Sequence, residues 1–114
     1  MLQTIKFEAN DTASNPVGTA MSVIGGKWKG VILYQLIKQE ARFNQLRRMI
    51  PGITQRMLVL QLRDLEREGL VQRVVYQETP PKIGYRLTEY GRTLEPVILM
   101  LKEWGEGHQS APLN

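Results

Sequence analysis

Arg56, Arg63 and Arg67 share one helical stretch, Thr54–Glu68, and their spacing places them together. Leu58, Leu62 and Leu65 recur there at i, i+4 and i+7, the period of a buried helical stripe. On a 3.6-residue wheel, Arg56, Leu60, Arg63 and Arg67 fall on the side opposite that stripe. A guanidinium group is always charged and presents its donors in a fixed fork that matches phosphate. A row of such groups turned away from a leucine seam suits a polyanion. The competing reading is a solvated basic face, salted by Asp64, Glu66 and Glu68.

Charge along the chain favours the polyanion. The net charge of the 114 residues is +4, yet residues 42–86 hold nine Lys/Arg against four acids, a local excess of five. Residues 1–41 carry +1 and residues 87–114 carry −2. A local excess of this sign attracts phosphate backbones and releases their counterions on binding.

The neighbouring elements must hold that stretch in place. Arg42–Met49 reads as a short helix with Phe43, Leu46 and Ile50 inward and Arg42, Asn44, Gln45 and Arg48 outward. Pro51 stops it, Gly52 permits a turn, and Thr54 can cap the next helix through its hydroxyl. Gly69 ends that second helix. Leu70–Tyr76 has strand character, Pro80-Pro81 marks a loop tip, and Ile83, Tyr85 and Leu87 alternate in a return strand. Arg73, Lys82 and Arg86 put charge on this hairpin, where flanking phosphates or a minor groove could be met.

Upstream, Asn15-Pro16 predicts a helix start, with Pro16–Ile24 burying Val17, Ala20, Met21 and Ile24 before Gly25-Gly26 breaks it. Lys27–Lys38 predicts a central helix, apolar on most of its circumference through Trp28, Val31, Ile32, Leu33, Leu36 and Ile37. Downstream, Thr88 is expected to cap one final helix running to about Trp104, kinked by Pro96 in its interior. The expected fold is mainly α with a small β-hairpin wing, a winged helix-turn-helix. The expected organisation is a flexible arm over residues 1–14, a DNA-binding and dimerisation domain over residues 15–105, and a flexible tail over residues 106–114.

The last helix is too apolar for one small domain face. Leu94, Val97, Ile98, Leu101 and Trp104 form a stripe, and Leu99 and Met100 add surface beside it. The excess is read as a homodimer interface shared with Val17 and Met21 of the first helix. Trp28, Tyr34, Met100 and Trp104 could line a small-molecule effector pocket between dimer helices, with simple packing the favoured reading.

Other function classes find little support. No cysteine is present, which excludes thiolate catalysis, Cys-ligated zinc and thiol redox sensing, and fits a reducing cytoplasm. The single histidine, His108, lies in a Gly-rich stretch far along the chain from any acid-base partner, so no catalytic set is assigned. No metal-ligand spacing or phosphate loop calls for a cofactor. No apolar run approaches the ~20 residues of a membrane span, and the N-terminus has no signal-peptide core.

Several motifs together resemble one family. They are G-G-K-W at Gly25–Trp28, R-F-N-Q-L-R-R at Arg42–Arg48 and P-G-I-T-Q-R-M-L at Pro51–Leu58. Further on come L-x-x-L-E-x-x-G-L-V at Leu62–Val71, Y-x-x-x-P-P at Tyr76–Pro81 and Y-x-L-T-x-x-G at Tyr85–Gly91. The set, spanning about residues 15–105, resembles the HxlR-type winged helix-turn-helix transcriptional regulators. That resemblance implies a bacterial or archaeal homodimer on an inverted-repeat operator, dimerising through its first and last helices. It also implies that Thr54–Glu68 is the recognition helix and Gln77–Ile83 the wing. Electrophile-sensing members carry a cysteine before a proline at the start of the first helix; here that residue is Asn15.

On this reading the chain is a sequence-specific DNA-binding regulator, repression being the favoured sign, located in the cytoplasm with the nucleoid. Gln55, Arg56 and Arg63 are expected at base edges, with Thr54 and Leu60 close by, since Gln pairs with adenine and Arg with guanine. The apolar Val59 and Leu60 stand at outer positions that are often polar in the family, where a thymine methyl could meet them. Arg42, Asn44, Arg48, Lys27 and Lys82 are expected at phosphates, with Arg73 and Arg86 on the wing. The alternative is a winged-helix module for protein contact with no operator of its own.

Overall fold

A computed structural model describes residues 15–112. The arm expected over residues 1–14 and the last two residues of the tail lie outside the described residues.

Helix α1 (Pro16–Ile24) begins where Asn15 Oδ1 accepts the amide protons of Val17 at 2.9 Å and Gly18 at 3.2 Å, with Pro16 supplying a pre-set first turn. Helix α2 (Lys29–Lys38) starts two residues later than periodicity suggested, with Trp28 as its N-cap. Its Ile32, Leu33 and Leu36 are buried, which makes it the central helix of the core. Strand β1 (Ala41–Arg42) then leads into α3 (Phe43–Met49) and α4 (Gln55–Arg67).

The turn between α3 and α4 follows from its residues. Gly52 has φ +89°, where a β-carbon would be strained. Thr54 Oγ1 accepts from Met57 N at 3.0 Å, a cap of roughly 1 kcal/mol. Leu58, Leu62 and Leu65 are all fully buried, confirming the seam, and each such burial contributes about 1.5–3 kcal/mol. The helix closes in a Schellman motif: Leu70 N donates to Leu65 O and Gly69 N to Glu66 O, with Gly69 at φ +77°. The buried Leu65 and Leu70 supply the apolar contact that accompanies such a cap.

Strands β2 (Val71–Tyr76) and β3 (Lys82–Leu87) form the antiparallel hairpin, with Val71 opposite Leu87 and Tyr76 opposite Lys82. The sheet has a third member that the sequence did not signal. β1 pairs with β3, Ala41 opposite Tyr85 and Arg42 opposite Gly84, giving the order β1-β3-β2. Two residues carry no readable period, so only the tertiary pairing reveals this strand. Gly84 allows it: a β-carbon there would stand 2.8 Å from Ala41 O and 2.6 Å from the Tyr76 ring.

The C-terminal region corrects two expectations. The single kinked helix is instead α5 (Glu89–Arg92) followed by α6 (Glu95–Ser110). Thr88 does cap, but it caps the short α5, accepting from Gly91 N at 2.9 Å while donating to Gly69 O at 2.6 Å. Pro96 lies in the first turn of α6, where no helical amide bond is lost, so the chain breaks upstream of it rather than kinking at it. The helix also runs past Trp104 to Ser110, supported by the Lys102–Glu106 ion pair at 2.8 Å and the stacked Trp104 and His108 rings.

Candidate nucleic-acid interface

Helices α3 and α4 and the hairpin enclose a cleft of about 760 Å³. Arg48 of α3, Arg63 of α4, Arg42, and Arg73 and Lys82 of the hairpin line it, against one acid, Glu66. Arg56, Leu60 and Arg63 are exposed along the outer face of α4, as the wheel predicted, and with the exposed Gln55 they border a second, shallower hollow. Thr54 is exposed beside them and serves as the helix cap. Asn44 and Arg48 are exposed on α3 and line the cleft.

The arginines divide by partner. Among the described residues, no carboxylate is ion-paired with Arg47, Arg48, Arg56 or Arg63. All four lie on α3 and α4. Arg67, which the wheel grouped with Arg56 and Arg63, is instead bonded to Asp64 one turn back, and Lys29 of α2 reaches the same carboxylate at 3.3 Å. Two of the cations assigned to the hairpin, Arg73 and Arg86, are also engaged within the chain. Arg73 lies 3.9 Å from Glu66, and Arg86 lies 3.9 Å from Glu40. These are exposed pairs of the kind worth about 0–1 kcal/mol.

Arg42 is held more firmly. Both its terminal nitrogens donate to the Glu78 carboxylate on the hairpin loop, and its guanidinium lies 4.6 Å from the centre of the Tyr76 ring. Its backbone N–H donates to Gln45 Oε1 at 3.3 Å, completing the cap of α3. The hydrogen bonds to Arg42 hold the Glu78 carboxyl below the usual carboxylate range and raise Arg42 in turn. Tyr76 O–H donates to Glu40 at 2.5 Å, which pushes the phenol above its ordinary range. Tyr85, on the buried face of β3, is also pushed up, chiefly by its burial. The result is a polar clamp joining the end of β1, the start of α3 and the hairpin loop.

One feature near the cleft escaped the sequence reading. Arg47 is exposed and borders a shallow hollow with Asn44, Arg48 and the Pro51-Gly52 turn. The Arg47-Arg48 doublet was the available signal, but only Arg48 was assigned outward. Val59, expected at an outer position, lines both the main cleft and the hollow along the outer face of α4. Lys27, by contrast, does not line the cleft. It lies 4.8 Å over the Trp28 ring and borders a depression between α2 and α6.

The residues expected between two copies separate as well. Val17, Met21, Val97, Leu101 and Trp104 are exposed, and Trp104 retains 70% of its accessible surface. Leu94 is partly buried against the core. Ile98 is 4% exposed and belongs to the core of its own chain, so it is corrected from an interface residue to a packing residue. Tyr34 borders the depression between α2 and α6 with Ile98 and Leu101. Among the described residues, no helix is long and apolar enough to cross a membrane.

Known proteins share this arrangement. YdeP, an HTH-type transcriptional regulator of Bacillus subtilis, is 55% identical over 105 residues, covering 92% of this chain and 82% of YdeP. YybR of the same organism is 57% identical over 94 residues, covering 82% of this chain and 75% of YybR. The redox regulator HypR in its reduced form superposes with a TM-score of 0.79 at 56% identity, over 84% of this chain and 95% of that one. The HxlR-like helix-turn-helix family matches residues 23–112, and with a winged helix-turn-helix whose outward arginines face a basic cleft, the chain belongs to that family and is a DNA-binding transcriptional regulator.

Proposed function

We propose that this regulator binds an inverted-repeat operator as a homodimer, with α4 in the major groove and the hairpin beside the flanking backbone. The observation that carries the proposal is the outward placement of Arg56 and Arg63 with no carboxylate paired to either among the described residues. Gln55, Arg56 and Arg63 contact base edges. Asn44, Arg47 and Arg48 hold phosphates, and Lys82 approaches the backbone from the hairpin. A two-fold dimer sets its two recognition helices about one helical turn apart, which gives a near-palindromic site. The regulator works in the cytoplasm, on the chromosome.

The dimer reading draws on the apolar surface of α1 and α6. Val17 and Met21 of α1 and Val97, Met100, Leu101 and Trp104 of α6 are all exposed, and exposed apolar surface is what a protein contact would cover. The chain contains no cysteine, so the redox chemistry in HypR's description cannot be carried by a thiol here. A small-molecule effector, if the regulator has one, acts by other chemistry.

The test is titration of Arg56→Ala against a selected operator and random DNA. The expected result is a loss on the operator that exceeds the loss on random DNA by about 1–3 kcal/mol, the worth of one bidentate base contact. Equal weakening on both would refute base reading by Arg56. Sedimentation of Trp104→Asp tests the dimer: a monomer is expected, and an unchanged dimer would move the interface elsewhere. Binding that is insensitive to salt would favour the protein-contact alternative.

A further inference from the structure

We infer that Val59 and Leu60 form an apolar window in the recognition face that reads a thymine methyl, so each operator half-site carries a thymine beside the base contacted by Gln55. The inference rests on the operator reading above and extends it from polar to apolar recognition. Three observations carry it. Leu58, Leu62 and Leu65 are fully buried, but Leu60 is 44% exposed on the opposite side of the same helix. Val59 is half-buried and lies at the boundary of both hollows that flank the helix, as do Gln55 and Arg63. In the hollow along the outer face the pair is flanked by Gln55, Arg56 and Arg63, and Val59 also borders the main cleft, whose lining includes Phe43, Pro81 and Ile83.

Such a placement leaves apolar area of Leu60 exposed in the free protein. In the major groove, the C5-methyl of thymine is the apolar feature of the base-pair edges. Gln55, Val59 and Arg63 are spaced i, i+4 and i+8, so they stand in one row along α4. Successive members are about 6 Å apart at 1.5 Å rise per residue. Against a spacing of about 3.4 Å per base pair, the methyl contact falls within about two base pairs of the Gln55 contact.

The experiment begins with an operator selected by the full chain from a random duplex pool. Each thymine is then replaced singly by deoxyuridine, which keeps base pairing and removes only the methyl. Loss of one buried methyl is expected to weaken binding about fourfold. That loss should appear at one or two positions per half-site and be silent elsewhere. The same replacement should have no effect on Val59→Ala/Leu60→Ala, while Arg56→Ala retains the full uridine penalty. Uridine that is neutral at every position overturns the inference, as does a penalty that survives in the Val59→Ala/Leu60→Ala double variant. Both results leave the operator reading standing. A pool that yields no enriched sequence overturns the operator reading, and this inference with it. The uridine series on the unaltered chain stands whether or not a protein variant folds.

Discussion

The helix-turn-helix and the hairpin carry charge of the same sign, but they hold it differently. On α3 and α4, Arg47, Arg48, Arg56 and Arg63 project with no ion-paired carboxylate among the described residues. On the hairpin side, Arg42, Arg73 and Arg86 meet Glu78, Glu66 and Glu40. An unpaired cation that meets a phosphate releases a counterion and gives up nothing in the protein. A paired one must first surrender its carboxylate, and the freed acid then repels the DNA. Counting basic residues therefore overstates what the hairpin offers and understates the share of the helices.

Exchanging the arginines of the two regions should separate them most clearly. Arg56→Ala/Arg63→Ala is expected to lose tens- to thousands-fold in operator affinity, at about 1–3 kcal/mol per base contact, and to bind operator and random DNA nearly alike. Arg73→Ala/Arg86→Ala should change operator affinity by only a few fold. Comparable losses from the two variants, measured by fluorescence anisotropy at one salt concentration, would break the contrast.

A smaller effect should appear in salt dependence. Each phosphate neutralised contributes about 0.9 to the slope of log affinity against log salt. Arg47→Ala/Arg48→Ala should lower that slope by nearly two such increments, on operator and random DNA alike. Arg73→Ala/Arg86→Ala should lower it by less than one. Equal slopes would mean that DNA strips the hairpin pairs completely.

The smallest expected effect concerns the clamp. Glu78 is held below the ordinary carboxylate range by Arg42, so its contribution is present above the unfolded value of about 4.3 and fades as pH falls through the lowered folded value. Between pH 6 and 8 the pair should not titrate, which a carbon-detected NMR titration of the Glu78 carboxyl can check. Glu78→Gln frees Arg42 at neutral pH. It should raise affinity for operator and random DNA together, by a few fold and with a steeper salt slope. A change confined to the operator would mean that Arg42 reads sequence.

What could be read in advance was local. The leucine seam of α4, the Asn15 and Thr54 caps, and the turn at Gly52 follow from spacing and side-chain chemistry within a few residues. The motif spellings pointed to a family that the comparisons support. The outward set on α4 followed from the same period, including Arg56, Leu60 and Arg63. Arg67 lies on the same wheel face, but its partner Asp64 and the reach of Lys29 from another helix depend on rotamers and packing that a wheel does not contain.

The chain by itself determined the helical segments up to the hairpin and which face of α4 turns away from the core, because these depend on hydrogen bonds and apolar periods spanning a turn or two. Tertiary structure alone decided that Ala41–Arg42 becomes a strand, that Ile98 faces its own core, and that Arg42, Arg73 and Arg86 find acids while, among the described residues, Arg56 and Arg63 do not. Those outcomes depend on groups far apart in sequence, such as Arg42 and Glu78, whose meeting is set by the packing of the hairpin on the helices. No local period encodes that distance.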